Sequence, residues 1–182
     1  YITKEGEILY VNVCVLLLSY SRFRRTFNLS ISKSQSILLA FLTESFEVFG
    51  GVPKTILTDN MKTVMDEPRT EYQQGTVNER FYQFASDMGF EVKPCIAGRP
   101  RTKAKVEAPM KLIDEIHAYQ GKFDYEELHQ FVQQLCDRIN NSYHQGTGKI
   151  PILALKKERN LLSPLPHDRI RDFYKIDHIL AK

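Results

Sequence analysis

Aspartate is absent from the first 58 residues of this 182-residue sequence, and the first one is Asp59. Divalent cations such as Mg²⁺ prefer hard oxygen ligands, which carboxylates supply in proteins. Sites built from several acids usually draw one of them from an early strand. Such a site would therefore be incomplete in this sequence.

Cysteine is scarce, and its spacing argues against both a zinc site and a disulfide-stabilised fold. Cys14, Cys95 and Cys136 are odd in number and far apart. They show neither the paired spacing of a zinc site nor a disulfide framework. We expect ordinary core or surface thiols in a reducing cytosol.

Long hydrophobic runs are also missing. The apolar run from Val13 to Leu18 is far shorter than the ~20 residues that a membrane helix needs, and the sequence does not open with a signal-peptide pattern. We therefore expect a soluble intracellular protein without a membrane partner. With 42% hydrophobic and 26% charged residues, the chain can form one main core and a short appendage.

Positive charge is modest overall but clustered. The formal net charge is only +3, which by itself does not indicate nucleic-acid binding. Between Lys93 and Lys111, however, six basic residues face a single acid, Glu107, for a local net charge of +5. Such clustering is typical of a surface that binds a phosphate backbone.

The first half of the sequence predicts strands followed by a helix. Residues 1–3, 8–18 and 22–30 favour three antiparallel strands in a meander. From Ser34 to Phe49 the apolar spacing becomes helical, and Gly50-Gly51 ends the pattern. An amphipathic helix is therefore predicted at 34–49.

Asp59 follows a short apolar stub, Thr55 to Thr58, that predicts a buried parallel strand. Open α/β sheets bind ligands at the carboxyl ends of such strands. The polar residues 61–77 predict a loop, Asn78 a helix start, Gly89 its end and residues 90–93 a last strand. Asp59 thus has the position of a site residue.

The last part of the sequence predicts a helix and a connector. Asp124 and Glu127 have the spacing of a capping box before a periodic apolar pattern. After Asn140, several glycines and prolines indicate a connector with one short helix near 152–157.

Glu107 is predicted at a junction between a basic loop and a helix. Pro109 is tolerated only in a first helical turn, so the helix should begin near 105–108. At about 100° per residue, Lys111 lies about 40° from Glu107, and the apolar residues lie on the other side. Glu107 thus occupies the centre of a polar face.

Each motif has a simpler explanation. Glu107 could merely stabilise the helix dipole, and Thr58-Asp59-Asn60 could be an ordinary turn in which Asp59 bonds to nearby backbone. The order of the two motifs, one after a strand and one at a helix start, is much less common by chance. Together they favour a pair of metal-binding acids in basic surroundings.

These motifs also resemble a known family. Thr58-Asp59-Asn60 and the run from Pro100 to Glu107 resemble the second and third acidic positions of the retroviral-integrase-like catalytic core. The loop at 144–151 and the Leu-Ser-Pro-Leu-Pro run at 162–166 are similar to those of IstA-like insertion-sequence transposases, members of the DDE transposase superfamily. The resemblance covers nearly the whole chain.

The resemblance implies a ribonuclease-H-like α/β fold. Its mixed sheet would combine a three-stranded antiparallel meander with parallel strands, flanked by helices, with the first strand largely missing. Residues 1–122 would form the catalytic core with a truncated amino-terminal strand. Residues 123–182 would add the last helix of the core and a connector toward a missing C-terminal domain.

The resemblance also implies a two-metal site and an activity. Asp59 and Glu107 would be catalytic and would bind two Mg²⁺ or Mn²⁺ ions in the complete site, together with a first acid expected upstream of Tyr1. The expected DNA-binding residues are Asn60, Arg99, Arg101, Lys103, Lys105 and Lys111. We expect this chain to be inactive by itself.

The implied function is the catalytic core of a DNA transposase, a polynucleotidyl transferase that performs metal-dependent 3′-end cleavage and strand transfer of an insertion sequence. Its partners would be transposon-end and target DNA, further copies of itself on DNA and an ATPase helper, in the bacterial cytosol or nucleoid. Two alternatives stay open: a non-catalytic DNA-binding or assembly module of the same fold, and a ribonuclease-H-type nuclease.

Overall fold

A computed structural model describes residues 3–8, 10–29, 34–96 and 124–180 of the chain. These residues form an α/β structure of short strands and longer helices. The strands are β1 (Asn12–Leu17), β2 (Arg24–Leu29), β3 (Thr55–Thr58), β4 (Met65–Glu67), β5 (Thr76–Val77) and β6 (Glu91–Pro94). The helices are α1 (Gln35–Phe49), α2 (Glu79–Met88), α3 (Tyr125–Asn141), α4 (Pro151–Glu158) and α5 (Asp168–Leu180), with a 3₁₀ turn at Arg159–Leu161.

The chain divides into two compact units. The first unit comprises Tyr1–Lys33 and Ala104–Glu158, and the second comprises Ser34–Lys103 and Arg159–Lys182. Each unit is therefore assembled from two separate stretches of sequence. The boundary predicted at residue 122 falls outside the described residues and stays a prediction.

In the first unit, β1 and β2 form an antiparallel pair that helix α3 covers. Leu128 and Val132 of α3 are buried, and Val11 packs against them. The Asn140 amide accepts a hydrogen bond from the Arg24 N–H at 3.0 Å and donates to the Arg24 carbonyl at 2.8 Å. Because these bonds satisfy backbone groups that β1 does not reach, the helix protects the outer edge of β2.

The predicted first strands are longer than the observed ones. β1 begins at Asn12 instead of residue 8, since Ile8 and Tyr10 are 67% and 83% exposed and bury little apolar surface. β2 spans 24–29 instead of 22–30. Residues 1 and 2 of the predicted first meander strand lie outside the described residues, so the antiparallel pairing is confirmed for two strands.

Helix α1 forms the centre of the second unit. Phe41, Phe46 and Phe49 are almost fully buried. The Thr43 and Ser45 hydroxyls are also buried, and each donates to a backbone carbonyl four residues earlier. The helix is therefore buried on most sides, and the amphipathic pattern predicted for it was wrong in this respect. Val48 is the one apolar residue of α1 that is exposed, at 39%.

The parallel orientation predicted for β3 is confirmed, but its predicted burial is wrong for one face, since Thr55 and Leu57 are exposed and only Ile56 and Thr58 are buried. β3 pairs with β6 in parallel, with Thr58 opposite Pro94. Asn78 caps α2 by accepting from the N–H groups of Arg80 and Phe81, and Gly89 ends the helix in the left-handed conformation. Among the described residues, the antiparallel and parallel strands form separate two-stranded sheets.

Two elements differ from the sequence predictions. The predicted loop at 61–77 contains a small antiparallel hairpin of β4 and β5. The predicted connector includes α5, whose Tyr174 is 4% exposed and packs edge-on against Phe84, with ring centroids 4.7 Å apart. Lys175 of α5 also binds Glu47 of α1 at 2.9 Å. This segment is helical because it completes the core of the second unit.

The state of the cysteines and the character of the helices can also be described. Cys14, Cys95 and Cys136 are all free, and the last two are buried. None of the helices in the described ranges has the length and apolar character that a bilayer crossing requires.

Candidate functional site

Asp59 lies at the carboxyl end of the β3–β6 pair. It follows Thr58 directly, and because β3 and β6 are parallel, both strands end at the same edge. Its side chain is exposed, and one carboxylate oxygen accepts a hydrogen bond from the Asn60 N–H at 2.9 Å. The predicted position of Asp59 is therefore confirmed, since the structure presents its carboxylate to solvent at this edge.

Asn60 binds backbone groups of two other segments. Its amide nitrogen donates to the Cys95 carbonyl at 2.9 Å and, more weakly, to the Arg69 carbonyl at 3.4 Å. Its amide oxygen accepts from the Arg69 N–H at 2.9 Å. The side chain is half-buried, so these contacts are partly shielded from water. DNA binding by Asn60 stays a prediction, and the observed contacts favour a structural role.

Arg69 is a neighbour of this site that sequence reasoning missed. Its guanidinium donates to the Pro94 carbonyl at 3.1 Å, next to the end of β6. Together with its backbone contacts to Asn60, this bond fixes the segment after β4 to the strand ends. Little in the sequence points to this role, because Arg69 is a single basic residue in a polar segment without periodicity.

The other predicted site residues lie outside the described residues. They are Glu107, Arg99, Arg101, Lys103, Lys105 and Lys111. Their roles in metal binding and DNA binding stay predictions. The described part of the site is therefore Asp59 with its supporting residues Asn60, Arg69 and Cys95.

The chemistry of Asp59 fits one ligand of a Mg²⁺ or Mn²⁺ site. An exposed carboxylate supplies the hard oxygen that these ions prefer. Within the described ranges, no group of three His, Cys, Asp or Glu side chains could hold a metal ion. Asp66 accepts a hydrogen bond from the Asn78 amide at 2.9 Å, and Asn78 is the residue that caps α2. Asp66 therefore stabilises the start of α2.

The sequence matches a known protein family over more than half of the chain. Residues 1–100 match the integrase core domain. This match includes Asp59, Asn60, Arg69 and Cys95, and therefore the whole described part of the site.

The sequence is also similar to transposases of bacterial insertion sequences. It is 70% identical over 180 residues to the transposase for insertion sequence element IS232 of Bacillus thuringiensis subsp. berliner, covering 99% of this chain and 42% of that protein. It is 27% identical over 183 residues to the transposase for insertion sequence element IS21 of Pseudomonas aeruginosa, covering 96% of this chain and 45% of that protein. The chain thus spans less than half the length of these relatives.

A solved structure supports the fold. The chain resembles a chain of the simian T-cell lymphotropic virus intasome in complex with the PP2A regulatory subunit B56 gamma, with a TM-score of 0.63 and 15% identity over 86% of this chain and 51% of that chain. This likeness shows a ribonuclease-H-like fold. The chain therefore belongs to the integrase core domain family, and its sequence relatives are transposases of insertion sequences.

Proposed function

We propose that this chain is the catalytic core of a DNA transposase that cleaves the 3′ ends of an insertion sequence and joins them to target DNA. The position of Asp59 supports this proposal. In a chain of the integrase core domain family, its exposed carboxylate lies at the carboxyl edge of a parallel strand pair, where such sheets bind ligands.

Asp59 and Glu107 are the residues that would hold Mg²⁺ or Mn²⁺, together with a first acid expected upstream of Tyr1. Bound divalent ions stabilise the attacking and leaving oxygens of an in-line phosphoryl transfer. In the first reaction, water attacks a phosphodiester and releases a 3′-hydroxyl at the element end. In the second, this hydroxyl attacks a target phosphodiester, forms a new bond and releases a target strand end.

DNA is the proposed substrate, and the basic segment around Glu107 is the proposed contact with its backbone. Arg99, Arg101, Lys103, Lys105 and Lys111 would position the phosphates without reading sequence. Assembly of several copies on DNA, an ATPase helper and action in the bacterial cytosol or nucleoid belong to the same proposal. Binding through these residues would weaken steeply with salt.

Substitution of the two acids tests the proposal. The protein should contain this chain together with the preceding segment expected to carry the first acid, and the substrate should be a duplex of the element end with Mg²⁺ or Mn²⁺. We expect Asp59→Asn and Glu107→Gln each to reduce cleavage and joining at least about 100-fold, since each removes a metal ligand. Asp137→Asn, the same change on an exposed helix position, is the matched control.

Full activity of either site variant would refute the proposed function. DNA binding without cleavage by the longer protein would favour a non-catalytic module, and cleavage without joined products would favour a ribonuclease-H-type nuclease. Neither alternative is favoured at present, because the relatives at 70% and 27% identity are transposases.

A further inference from the structure

We propose that Asn60 is a positioning residue that fixes the carboxylate of Asp59, and that it is not a DNA contact. This inference rests on the proposed function, because it assigns Asp59 to metal binding. The contacts that carry it join Asn60 to Cys95 and Arg69, and we refer to these three residues as the Asn60 clamp.

Asp59 lies between two residues that are both anchored to Cys95. On one side, the Thr58 carbonyl accepts a hydrogen bond from the Cys95 N–H at 2.8 Å. On the other side, the Asn60 amide donates to the Cys95 carbonyl at 2.9 Å. Cys95 itself is 5% exposed, so this anchor is part of the buried core. The backbone of Asp59 is therefore held from both directions by the N–H and the carbonyl of one buried residue.

The direction of the Asp59 carboxylate depends on the same anchor. One of its oxygens accepts from the Asn60 N–H at 2.9 Å. Because the Asn60 side chain fixes the peptide that carries this N–H, a displaced Asn60 would also displace the hydrogen bond to Asp59. Residues that orient a metal ligand typically contribute ten- to a hundredfold to metal affinity or activity.

The hydrogen-bonding capacity of Asn60 is largely used within the protein. An amide offers two N–H donors and one oxygen acceptor. The donors meet the Cys95 and Arg69 carbonyls, and the oxygen meets the Arg69 N–H. A DNA phosphate only accepts hydrogen bonds, so it could bind this side chain only by displacing one of the two bonds that the amide nitrogen donates. Internal positioning is therefore the role that the contacts favour.

Arg69 completes the clamp from the segment after β4. Its N–H and carbonyl both face the Asn60 amide, and its guanidinium donates to the Pro94 carbonyl at 3.1 Å. Pro94 is the last residue of β6. The segment after β4 is thus tied to the same strand end that anchors Asn60, which restricts movement of the Asp59 turn.

The experiment compares Asn60→Ala and Asn60→Ser with Asn141→Ala in the longer protein described above. Asn141 is an exposed residue whose amide donates to the Asp137 carbonyl one turn earlier, so its substitution controls for loss of an asparagine. Asn60→Ser keeps a small polar side chain that is too short to reach both partners. Urea unfolding midpoints close to that of the parent protein would verify that each variant is folded.

Three measurements distinguish positioning from DNA contact. We expect faster hydrogen exchange of the Arg69 amide in both Asn60 variants. The Mn²⁺ concentration for half-saturation should rise about ten- to a hundredfold, both in cleavage and in paramagnetic broadening of the backbone amide signals of Thr58 and of position 60. DNA affinity and its salt dependence should stay as in the Asn141→Ala control.

Two results would overturn the inference. One is unchanged Mn²⁺ binding in both Asn60 variants, and the other is weaker DNA binding with unchanged Arg69 exchange. Failure of the proposed function is distinguishable, because an inactive parent protein would still report the clamp through amide exchange and Mn²⁺ broadening.

Discussion

The buried carboxylate of Glu158 accepts a hydrogen bond from the Ser21 N–H at 2.9 Å, although 137 positions separate the two residues. Its second oxygen accepts from the Tyr20 N–H at 3.1 Å. Tyr20 and Ser21 form the turn between β1 and β2, in which Arg22 adopts a positive φ of 61°. The last residue of α4 therefore holds the turn that connects the antiparallel strands of the first unit.

Glu158→Ala should destabilise the chain by about 2–4 kcal/mol, because it leaves two backbone N–H groups without their charged acceptor. Glu158→Gln keeps an acceptor oxygen and should cost roughly 1 kcal/mol. Urea unfolding measures both values, and Glu5→Ala at an exposed turn is the control. Equal stability of Glu158→Ala and Glu5→Ala would show that the turn does not depend on this carboxylate.

Tyr174 should contribute strongly to the stability of the second unit. Its ring packs against Phe84, and its hydroxyl donates to Asp87. Tyr174→Phe keeps the ring and should cost about 1 kcal/mol, whereas Tyr174→Ala also leaves a cavity and should cost about 3–5 kcal/mol. Tyr72→Ala, at a position that is 94% exposed, is the control in urea unfolding. If Tyr174→Ala reduced the free energy of unfolding no more than Tyr72→Ala does, the packing of α5 against Phe84 would be contradicted.

Elements with short-range signals could be predicted from the sequence. Asn78 and Gly89 bracket α2 because a cap and a left-handed terminus depend on neighbouring residues alone. The capping box of Asp124 and Glu127 is confirmed for the same reason. The stub at 55–58 was predicted because a short apolar run before Thr-Asp-Asn has few alternatives in a folded core.

Features that depend on distant partners could not be predicted. Helix α5 was missed because the glycines and prolines before it favour a connector, although Ile170, Phe173 and Tyr174 have helical spacing. Its contacts with Glu47 join positions 124 and 128 residues apart. The clamp around Asn60 likewise depends on carbonyl groups of Arg69 and Cys95, which no side-chain pattern reveals. DNA binding by Asn60 stays a prediction from the resemblance, and the contacts that the structure describes for its side chain are internal.

Gly51 should be intolerant of any side chain. A Cβ at this position would lie 2.7 Å from the Leu162 Cβ and 2.8 Å from the Ser163 carbonyl oxygen. The same segments are paired by two 2.8 Å hydrogen bonds between Val52 and Ser163. Gly51→Ala must therefore push these paired backbones apart, and we expect a cost of about 1–3 kcal/mol.

The control for Gly51 is Gly146→Ala. A Cβ there meets only the His144 ring, at 3.2 Å, and this flexible side chain can move. Neither glycine has a positive φ, so backbone strain does not enter the comparison. Leu162→Gly removes the clashing Cβ and should therefore partly relieve Gly51→Ala in a double-mutant cycle of urea unfolding. Strict additivity of the two changes would show that Leu162 does not carry the clash.

Acid should weaken the start of helix α3. Asp124 accepts from the Glu127 N–H at 2.8 Å, and Lys4 binds Glu127 at 2.6 Å and Asp124 at 3.4 Å. The backbone hydrogen bond from Glu127 holds the pKa of Asp124 below its ordinary value, and the hydrogen bond from Lys4 does the same for the pKa of Glu127. Both acids are thus stabilised in their charged form by folding.

The sign of the pH effect follows from these directions. A carboxylate whose folded pKa is depressed stabilises the fold above its unfolded pKa, about 3.9 for Asp and 4.3 for Glu, and loses this contribution as pH falls through the folded pKa. The urea midpoint should therefore decrease from about pH 5 downward. The pKa of Lys4 is raised mainly by its hydrogen bond to Glu127, so its contribution is lost only above about pH 10.

Asp124→Asn separates the charge from the cap, because asparagine caps a helix about as well as aspartate. At pH 7 this variant should keep most of the stability, and its urea midpoint should decrease less between pH 5 and pH 3 than that of the parent. Glu126→Gln is the control, since Glu126 is an exposed first-turn acid that binds Gln130 at 3.3 Å. Added salt should weaken the Lys4 pairs, which are exposed, and leave the backbone caps intact. If the urea midpoint of Asp124→Asn decreased between pH 5 and pH 3 as much as that of the parent, Asp124 would not be the group whose protonation weakens the fold.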